Sequence, residues 1–204
     1  IMGNYATMLQ QPGISEEDRL EYAKAISHSS RRLAALITNI LKLNKLENQQ
    51  IFPKHEEYDL SGQLCESLLQ FEDAWETKNL NIETDIEDGI RICSDAELLS
   101  LVWNNLISNA VKFTPEGGTI GMSLNADGNY VVVQVRDTGC GIDPETGKHI
   151  FEKFYQGDTS HATQGNGLGL ALVKRVVDIL QGEISVQSTP GRGSTFAVRI
   201  RRNG

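Results

Sequence analysis

The chain has 204 residues, with 19 basic and 27 acidic side chains, and its formal net charge at pH 7 is -8. This acidic balance disfavours general capture of nucleic acid, which needs a basic surface. Hydrophobic residues make up 39% of the chain, enough for a packed core. No apolar run is long enough to cross a bilayer and no signal peptide is recognisable. We therefore expect a cytoplasmic segment without direct membrane contact, whether or not its parent protein is anchored in a membrane.

The cysteine spacing bears on disulfides and metal sites, and the first residue bears on whether the chain is part of a longer protein. Cys65, Cys93 and Cys140 show no Cys-x-x-Cys spacing, so reduced thiols are expected rather than a disulfide framework or a zinc site. The sequence starts at Ile1 rather than at a methionine, which favours a piece of a longer protein.

Residues 1–52 predict a helical hairpin whose first helix is truncated. The first helix should end at the stretch 11–13, and Ser15 followed by acidic residues is a favourable start for the second. The second helix carries apolar residues at coiled-coil spacing and a wider stripe beside them: Ile26, Leu33, Leu36, Ile37, Ile40, Leu41, Leu43 and Leu46. So broad an apolar surface predicts a homodimer with a four-helix bundle, weakened here by the short first helix.

Residues 53–204 predict a second domain of mixed composition. We expect a helix capped by Asp59 and running to Trp75, short strands near residues 82 and 90–92, and a helix over 95–113. A hairpin follows over 120–135, and a later helix is closed by Gly182 before two final strands. This order predicts an α+β fold, a two-layer sandwich in which helices cover a mixed sheet.

Two segments of this domain carry polar groups suited to a nucleotide. Asn105, Asn109 and Lys112 fall at helical steps of four and three, so one helix face offers amide oxygens for a hard cation and an ammonium for phosphate. An exposed polar stripe is the alternative. Asp137 ends a strand before two glycines, where a carboxylate can accept from an exocyclic amine and the backbone can approach a flat ring. The alternative is an ordinary glycine-rich turn.

Two further segments suggest a lid. In residues 150–155 aromatic side chains flank a polar stretch and could anchor it to the core, although simple packing would explain them too. Residues 165–170 read Gly-Asn-Gly-Leu-Gly-Leu and open a helix, where successive amides suit phosphate oxygens. Neither the dinucleotide-fold spacing nor the P-loop ending is present.

In this order the four segments resemble the N box (104–113), G1 box (137–142), F box (150–155) and G2 box (165–170) of sensor histidine kinases. Their catalytic domain belongs to a wider ATPase group with gyrase, heat-shock protein ninety and MutL. The resemblance extends to the turn at 191–196. It also reaches the stretch 32–47, which is similar to the second helix of the dimerisation and phosphotransfer domain.

The resemblance implies Mg-ATP as ligand and a nucleotide site made of Asn105, Asn109, Lys112, Phe113, Asp137, Gly139, Gly141, Ile142, Lys153, Gly165, Asn166, Gly167, Leu168, Gly169, Leu170 and Ser194. Asp137 would accept from the adenine amine, and the hydroxyl of Ser194 would support the adenine end. Asn109 would hold Mg²⁺. Asn105 would be catalytic near the phosphates. Lys112 would be catalytic by neutralising the phosphate charge. The implied activity is phosphoryl transfer from ATP to a histidine and then to an aspartate on a response regulator receiver domain.

The sequence departs from the family pattern at the phosphoacceptor and in the lid. None of the four histidines stands in a His-Glu/Asp-x-x-Thr/Asn-Pro motif, so we expect the acceptor upstream and no autophosphorylation by this chain alone. Many relatives carry an arginine after the Phe-Tyr pair. Gln156 stands there instead, which leaves Lys153 as the nearest cation.

Two other functions compete with the kinase. An ATP-driven clamp of the gyrase or MutL kind typically has a glutamate four residues before the Mg-binding asparagine. Asn105 occupies that position and cannot act as a general base. A nucleotide-free docking module is the third possibility, but the positions needed for nucleotide binding are filled.

Overall fold

The computed structural model describes residues 2–11, 13–49, 51–156 and 166–203. It divides into two compact units, Ile1–Asn44 and Lys45–Gly204. The division falls inside the second helix, and the domain boundary expected after residue 52 stays a prediction. Among the described residues, no helix is both long and apolar enough to span a membrane.

The first unit contains helix α1 (Met2–Leu9) and most of helix α2 (Glu16–Asn48). Ser15 caps α2, because its hydroxyl oxygen accepts from the amide of Asp18 at 3.0 Å. The two helices touch through Tyr5 and Tyr22, whose ring centroids lie 5.5 Å apart. The helix start predicted at Ser15 is therefore confirmed.

The second unit is an α+β domain, as predicted. Its elements are β1 (Glu56–Asp59), α3 (Leu60–Leu69), α4 (Glu72–Thr77), β2 (Asn81–Ile86), β3 (Arg91–Ser94), α5 (Ala96–Phe113), β4 (Thr119–Asp127), β5 (Tyr130–Asp137), α6 (Pro144–His149), α7 (Gly169–Ile179), β6 (Glu183–Thr189) and β7 (Gly193–Arg201). Five strands form a sheet in the order β2-β4-β5-β7-β6, in which only β2 and β4 run parallel. Strands β1 and β3 form a separate antiparallel pair.

The core lies between this sheet and its helices. Alternate residues of β4 and β5 are buried, including Ile120, Leu124 and Val133, while their neighbours are more exposed. Helix α5 packs against both β5 and α7, and α7 packs against β6. One face of the sheet is thus covered by helices, and α5 lies centrally among them.

Local capping signals place the helix starts correctly. Asp59 accepts from the amide of Gly62 at 3.1 Å at the start of α3, and Asp95 accepts from the amide of Leu98 at 3.0 Å at the start of α5. These carboxylates satisfy amides that have no partner inside the helix.

Three local predictions were wrong or incomplete. The helix expected to run to Trp75 ends at Leu69, because Phe71 leaves helical geometry (φ −105°, ψ 12°) and α4 begins after it. The left-handed residue after α7 is Gln181 (φ 55°) rather than Gly182. A glycine is needed at position 182 for steric reasons, because a Cβ there would lie 2.8 Å from the carbonyl oxygen of Arg199. Strand β1 and helix α6 were not predicted from the sequence.

Candidate functional site

The polar N-box residues Asn105, Asn109 and Lys112 are half-buried positions of α5. Asn105 donates from Nδ2 to the carbonyl of Leu101 at 2.7 Å, which fixes the orientation of its carboxamide. Asn109 is half-buried and makes no hydrogen bond through its side chain within the part of the chain that the structure describes. The Asn109 amide oxygen is therefore available to a ligand.

A cleft opens at the C-terminal end of α5. It has a volume of about 540 Å³, and its lining includes Lys112, Phe113, Gly139 and Cys140. The ammonium of Lys112 lies 4.5 Å from the ring centroid of Phe113, within the range of a cation–π contact. N-box and G1-box residues therefore share one cleft.

Asp137, the last residue of β5, is buried and only 6% exposed. Its Oδ1 accepts from the amide of Gly139 at 2.8 Å. Burial raises the pKa of this carboxyl, because desolvation disfavours its charged form, while hydrogen bonds from the backbone of Gly139 and Ser194 act in the opposite direction. A buried carboxylate fixed by backbone donors is suited to recognise one specific donor on a ligand.

The glycines of the G1 box allow three segments to approach closely. A Cβ at Gly139 would lie 2.5 Å from the carbonyl oxygen of Phe113 at the end of α5. A Cβ at Gly141 would overlap the carbonyl oxygen of Thr189, and one at Gly193 (φ +100°) would overlap that of Asp137. The G1 box is therefore packed between α5 and the turn that joins β6 to β7.

Ser188 organises the region around Ser194, and sequence reasoning did not identify it. Ser188 and Ser194 face each other across β6 and β7, and Ser194 faces Asp137 across β7 and β5. The Ser188 hydroxyl lies 3.0 Å from that of Ser194 and accepts from the amide of Ile142 at 2.8 Å. The register of the final hairpin was the signal that could have found Ser188.

The F box and the G2 box are joined at their backbones. The amide of Phe154 donates to the carbonyl of Gly167 at 2.8 Å, and Gly167 has a φ of +63° with no room for a Cβ beside Phe154. Leu168 is fully buried, whereas Leu170 and Asn166 are half-buried. Gly165 lies outside the described residues.

The aromatic anchor expected in the F box is only partly present. Phe154 is 61% exposed, and the buried residue of this segment is Ile150. Tyr155 instead packs on His149, with ring centroids 5.4 Å apart. An aliphatic side chain therefore anchors the start of this segment to the core.

Lys153 has a partner that the sequence analysis did not suggest. Its ammonium makes an ion pair at 2.6 Å with Glu47, near the end of α2 and within the second compact unit. The carbonyl of Leu46 next to it accepts from Nε of Arg175 on α7 at 3.0 Å. The last turn of α2 therefore contacts both the F box and α7.

Asn109 offers a single amide oxygen as a protein ligand for Mg²⁺. The described residues contain no cluster of three or more His, Cys, Asp or Glu side chains that could hold a metal ion. Mg²⁺ usually binds through one or two protein groups together with waters and substrate phosphates. The unpaired Asn109 amide fits that arrangement as a single protein ligand.

Comparison with known proteins identifies the family. The family described as "Histidine kinase-, DNA gyrase B-, and HSP90-like ATPase" matches residues 94–204. The sensor-like histidine kinase SenX3 of Mycobacterium tuberculosis is 32% identical over 88% of this chain and 44% of its own length. The circadian input-output histidine kinase CikA of Synechococcus elongatus is 35% identical over 98% of this chain and 27% of its own length.

A solved structure agrees with both relatives. Full-length ShkA in complex with AMPPNP aligns with a TM-score of 0.78 and 28% identity, over 98% of this chain and 42% of that one. The chain spans less than half the length of the two kinases above. With residues 94–204 matched, the chain belongs to the histidine kinase-, DNA gyrase B- and HSP90-like ATPase family, and within it is homologous to sensor histidine kinases.

Proposed function

We propose that this chain binds Mg-ATP between the N, G1 and G2 boxes and acts as the catalytic core of a sensor histidine kinase. It would transfer the γ-phosphate to a histidine, from which the phosphoryl group passes to an aspartate on a response regulator receiver domain. Kinship with sensor histidine kinases and with an AMPPNP-bound kinase structure supports this proposal.

The observation that carries the proposal is the pairwise contact of the four boxes. Gly139 of the G1 box lies against the end of α5, and Gly169 of the G2 box lies against Asn105, whose Oδ1 would be 2.8 Å from a Cβ at Gly169. The F box and the G2 box meet at Phe154 and Gly167. Segments far apart in the chain thus meet in pairs, and residues of the N and G1 boxes line one cleft.

At the base end, the buried Asp137 carboxylate would accept a hydrogen bond from the exocyclic amine of adenine. A purine whose amine is replaced by a carbonyl would put an acceptor against this carboxylate and bind weakly. Ser194, beside Asp137 in the sheet, would hold this end through its hydroxyl. Gly139 and Gly141 let the backbone at this end pack against α5 and the turn between β6 and β7.

At the phosphate end, Lys112 would neutralise charge and Asn105 would orient the phosphates. Magnesium held at Asn109 would supply charge stabilisation at the β- and γ-phosphates. The G2-box amides at the start of α7 would face phosphate oxygens, since helix N-termini favour anions. Catalysis here is chiefly positioning and electrostatics.

Neither alternative function has comparable support. Hydrolysis needs a base for water, and Asn105 cannot supply one. A docking module without nucleotide would gain nothing from burying the Asp137 carboxylate, because desolvating it costs free energy. Asp137, Asn109 and the glycines are present together, and we therefore favour the kinase.

The chain by itself should not autophosphorylate. None of its four histidines stands in the phosphoacceptor motif, and His28 is an exposed residue of α2.

A homodimer of the cytoplasmic core is also part of the proposal. Exposed apolar residues follow the predicted stripe of α2, including Leu33, Ile37 and Leu41 at 48%, 49% and 64% exposure. Nucleic acid and membrane are not expected partners.

Calorimetry with Mg-ADP and Mg-ATP tests the proposal. We expect one saturable site that weakens at least about tenfold in Asp137→Asn, because a charge-assisted hydrogen bond is lost. The matched control is Asp85→Asn, which removes an exposed carboxylate on β2. Absence of a Mg-dependent signal in the wild-type protein would favour the docking module, and steady release of phosphate would favour the clamp.

A further inference from the structure

Lys78, which directly follows α4, has its ammonium at the C-terminal end of α5. Its Nζ donates to the carbonyls of Val111 at 2.7 Å, Lys112 at 3.1 Å and Thr114 at 3.0 Å. An ammonium has three donors, so these bonds use all of them. The lysine and the first of these acceptors are 33 residues apart along the chain.

These bonds complete the capping of α5. The last carbonyls of a helix have no partner within it. The carbonyl of Ala110 accepts from the amide and the hydroxyl of Thr114, at 3.0 and 2.6 Å. The next two carbonyls, those of Val111 and Lys112, accept from Lys78. A cation here also interacts favourably with the negative end of the helix dipole.

The backbone around Lys78 is itself fixed against the turn after α5. The amide of Gly117 donates to the carbonyl of Lys78 at 3.0 Å. Next to it, Asn79 adopts a left-handed φ of 50°, and its Nδ2 donates to Oε1 of Glu116 at 3.2 Å. Lys78 is therefore a half-buried strut with both its backbone and its ammonium attached to the end of α5.

Lys78 also lines the 540 Å³ cleft together with Lys112, Phe113 and Gly139. The carbonyl that it binds at 3.1 Å belongs to Lys112, the residue assigned to the phosphates. Phe113, assigned to the nucleotide, is the last residue of the turn that it caps. The strut therefore acts on the two cleft residues that project from the end of α5.

We propose that Lys78 is a positioning residue of the nucleotide site, which holds Lys112 and Phe113 in the geometry that binds nucleotide. This inference rests on the proposed function. Without the ammonium, two helix carbonyls lose their partner and the last turn of α5 frays. The nucleotide must then order that turn on binding, at a cost in affinity.

The test uses Lys78→Met, which keeps the length of the side chain and removes the donors. Lys54→Met is the control, because it makes the same change at an exposed lysine of the same domain that pairs with Glu97. We expect Lys78→Met to weaken Mg-ADP binding about tenfold, measured well below its unfolding temperature. Adenosine binding should weaken less, because adenosine has no phosphates for Lys112 to contact. Lys54→Met should stay within about twofold of the wild type.

Lys78→Arg and Lys78→Gln extend the test. Both retain N–H donors, so each should recover part of the lost affinity, and they keep the test valid if the methionine variant does not fold. Hydrogen exchange of the amides at 110–114, without nucleotide, should be faster in Lys78→Met than in the control.

A lower unfolding temperature with unchanged Mg-ADP affinity would overturn the inference and assign Lys78 to stability alone. Equal weakening of ADP and adenosine would overturn the part of the inference that runs through Lys112. If the wild-type protein binds no nucleotide, the proposed function fails and this inference fails with it. If the wild type binds and Lys78→Met binds equally well, only the inference fails.

Discussion

Gly169, the first residue of α7, has no room for a side chain, because the carboxamide oxygen of Asn105 lies 2.8 Å from the position that a Cβ would take. The same carboxamide is fixed from its other end by the bond from Nδ2 to Leu101. The start of α7 and the middle of α5 are therefore in contact at a residue that we assign to the phosphates.

Gly169→Ala should displace the Asn105 carboxamide and weaken Mg-ATP binding about tenfold. The unfolding temperature should change little, because the oxygen is at the end of a side chain that can move and alanine favours the helix. Calorimetry and thermal unfolding measure the two effects. Gly147→Ala is the control, since a Cβ there meets only the side chain of Ile142, at 4.0 Å. Unchanged affinity in Gly169→Ala would show that the Asn105 orientation does not matter for binding.

Asp137→Asn should raise the stability of the nucleotide-free protein at pH 7. Burial raises the pKa of this carboxyl above 3.8, so the native state holds its proton to a higher pH than the unfolded state does. Stability therefore falls as the pH rises from about 3.8 through the raised pKa, and the loss persists at neutral pH. Asparagine has no charge to desolvate.

Thermal unfolding from pH 3.5 to 7.5 measures this effect. The difference in unfolding temperature between Asp137→Asn and the wild type should shrink as the pH falls through that window, while Asp85→Asn should show no such trend. A variant less stable than the wild type at pH 7 would mean that the Asp137 charge is stabilised in the native state.

Cys140 should be protected from alkylation by nucleotide. It is exposed, stands in the G1 box and lines the cleft beside Lys112. Saturating Mg-ADP should slow its reaction with N-ethylmaleimide about tenfold, which is the degree of protection expected when only a small fraction of sites is open. Cys65, exposed on α3, is the internal control and should react at the same rate with and without ligand. Peptide mass spectrometry reports both rates, and equal protection of the two thiols would place the ligand elsewhere.

The ion pair between Lys153 and Glu47 should compete with any phosphate contact of Lys153. Glu47→Gln frees the ammonium and should tighten Mg-ATP binding about two- to threefold, with a change in stability below about 1 kcal/mol because both side chains are partly exposed. In a Lys153→Met background the same substitution should have no effect on affinity. If Glu47→Gln has the same effect in both backgrounds, Lys153 does not reach the phosphates.

The exposed apolar stripe of α2 should mediate self-association. Ile37→Glu places a charge in that stripe and should shift the sedimentation profile at high concentration towards the monomer. Thr38→Glu adds the same charge at the neighbouring exposed position and should shift it less. Identical profiles for both variants and the wild type would argue against a dimer through this face.

Elements that depend on nearby residues were predictable. Ser15, Asp59 and Asp95 each cap the helix that follows, because the capping carboxylate or hydroxyl binds an amide three residues later. The hairpin over β4 and β5 followed from alternation and one turn. Such signals involve only a few neighbouring residues, so they can be recognised in the sequence.

The four box motifs could also be identified from the sequence, because each keeps its chemistry within six to ten consecutive residues. Their adjacency could not. It rests on Gly139 against Phe113, Gly169 against Asn105 and Phe154 against Gly167, and in each case the contact comes from chain segments that only the fold brings together.

The sequence by itself determined the family, the α+β class and the residues suited to a nucleotide. Only the tertiary structure decided that Glu47 pairs with Lys153, that Ser188 supports Ser194 and that Lys78 caps α5. The reason is physical: a lysine or a serine has the same local preferences whatever partner it finds, and the partner is chosen by the packing of distant segments.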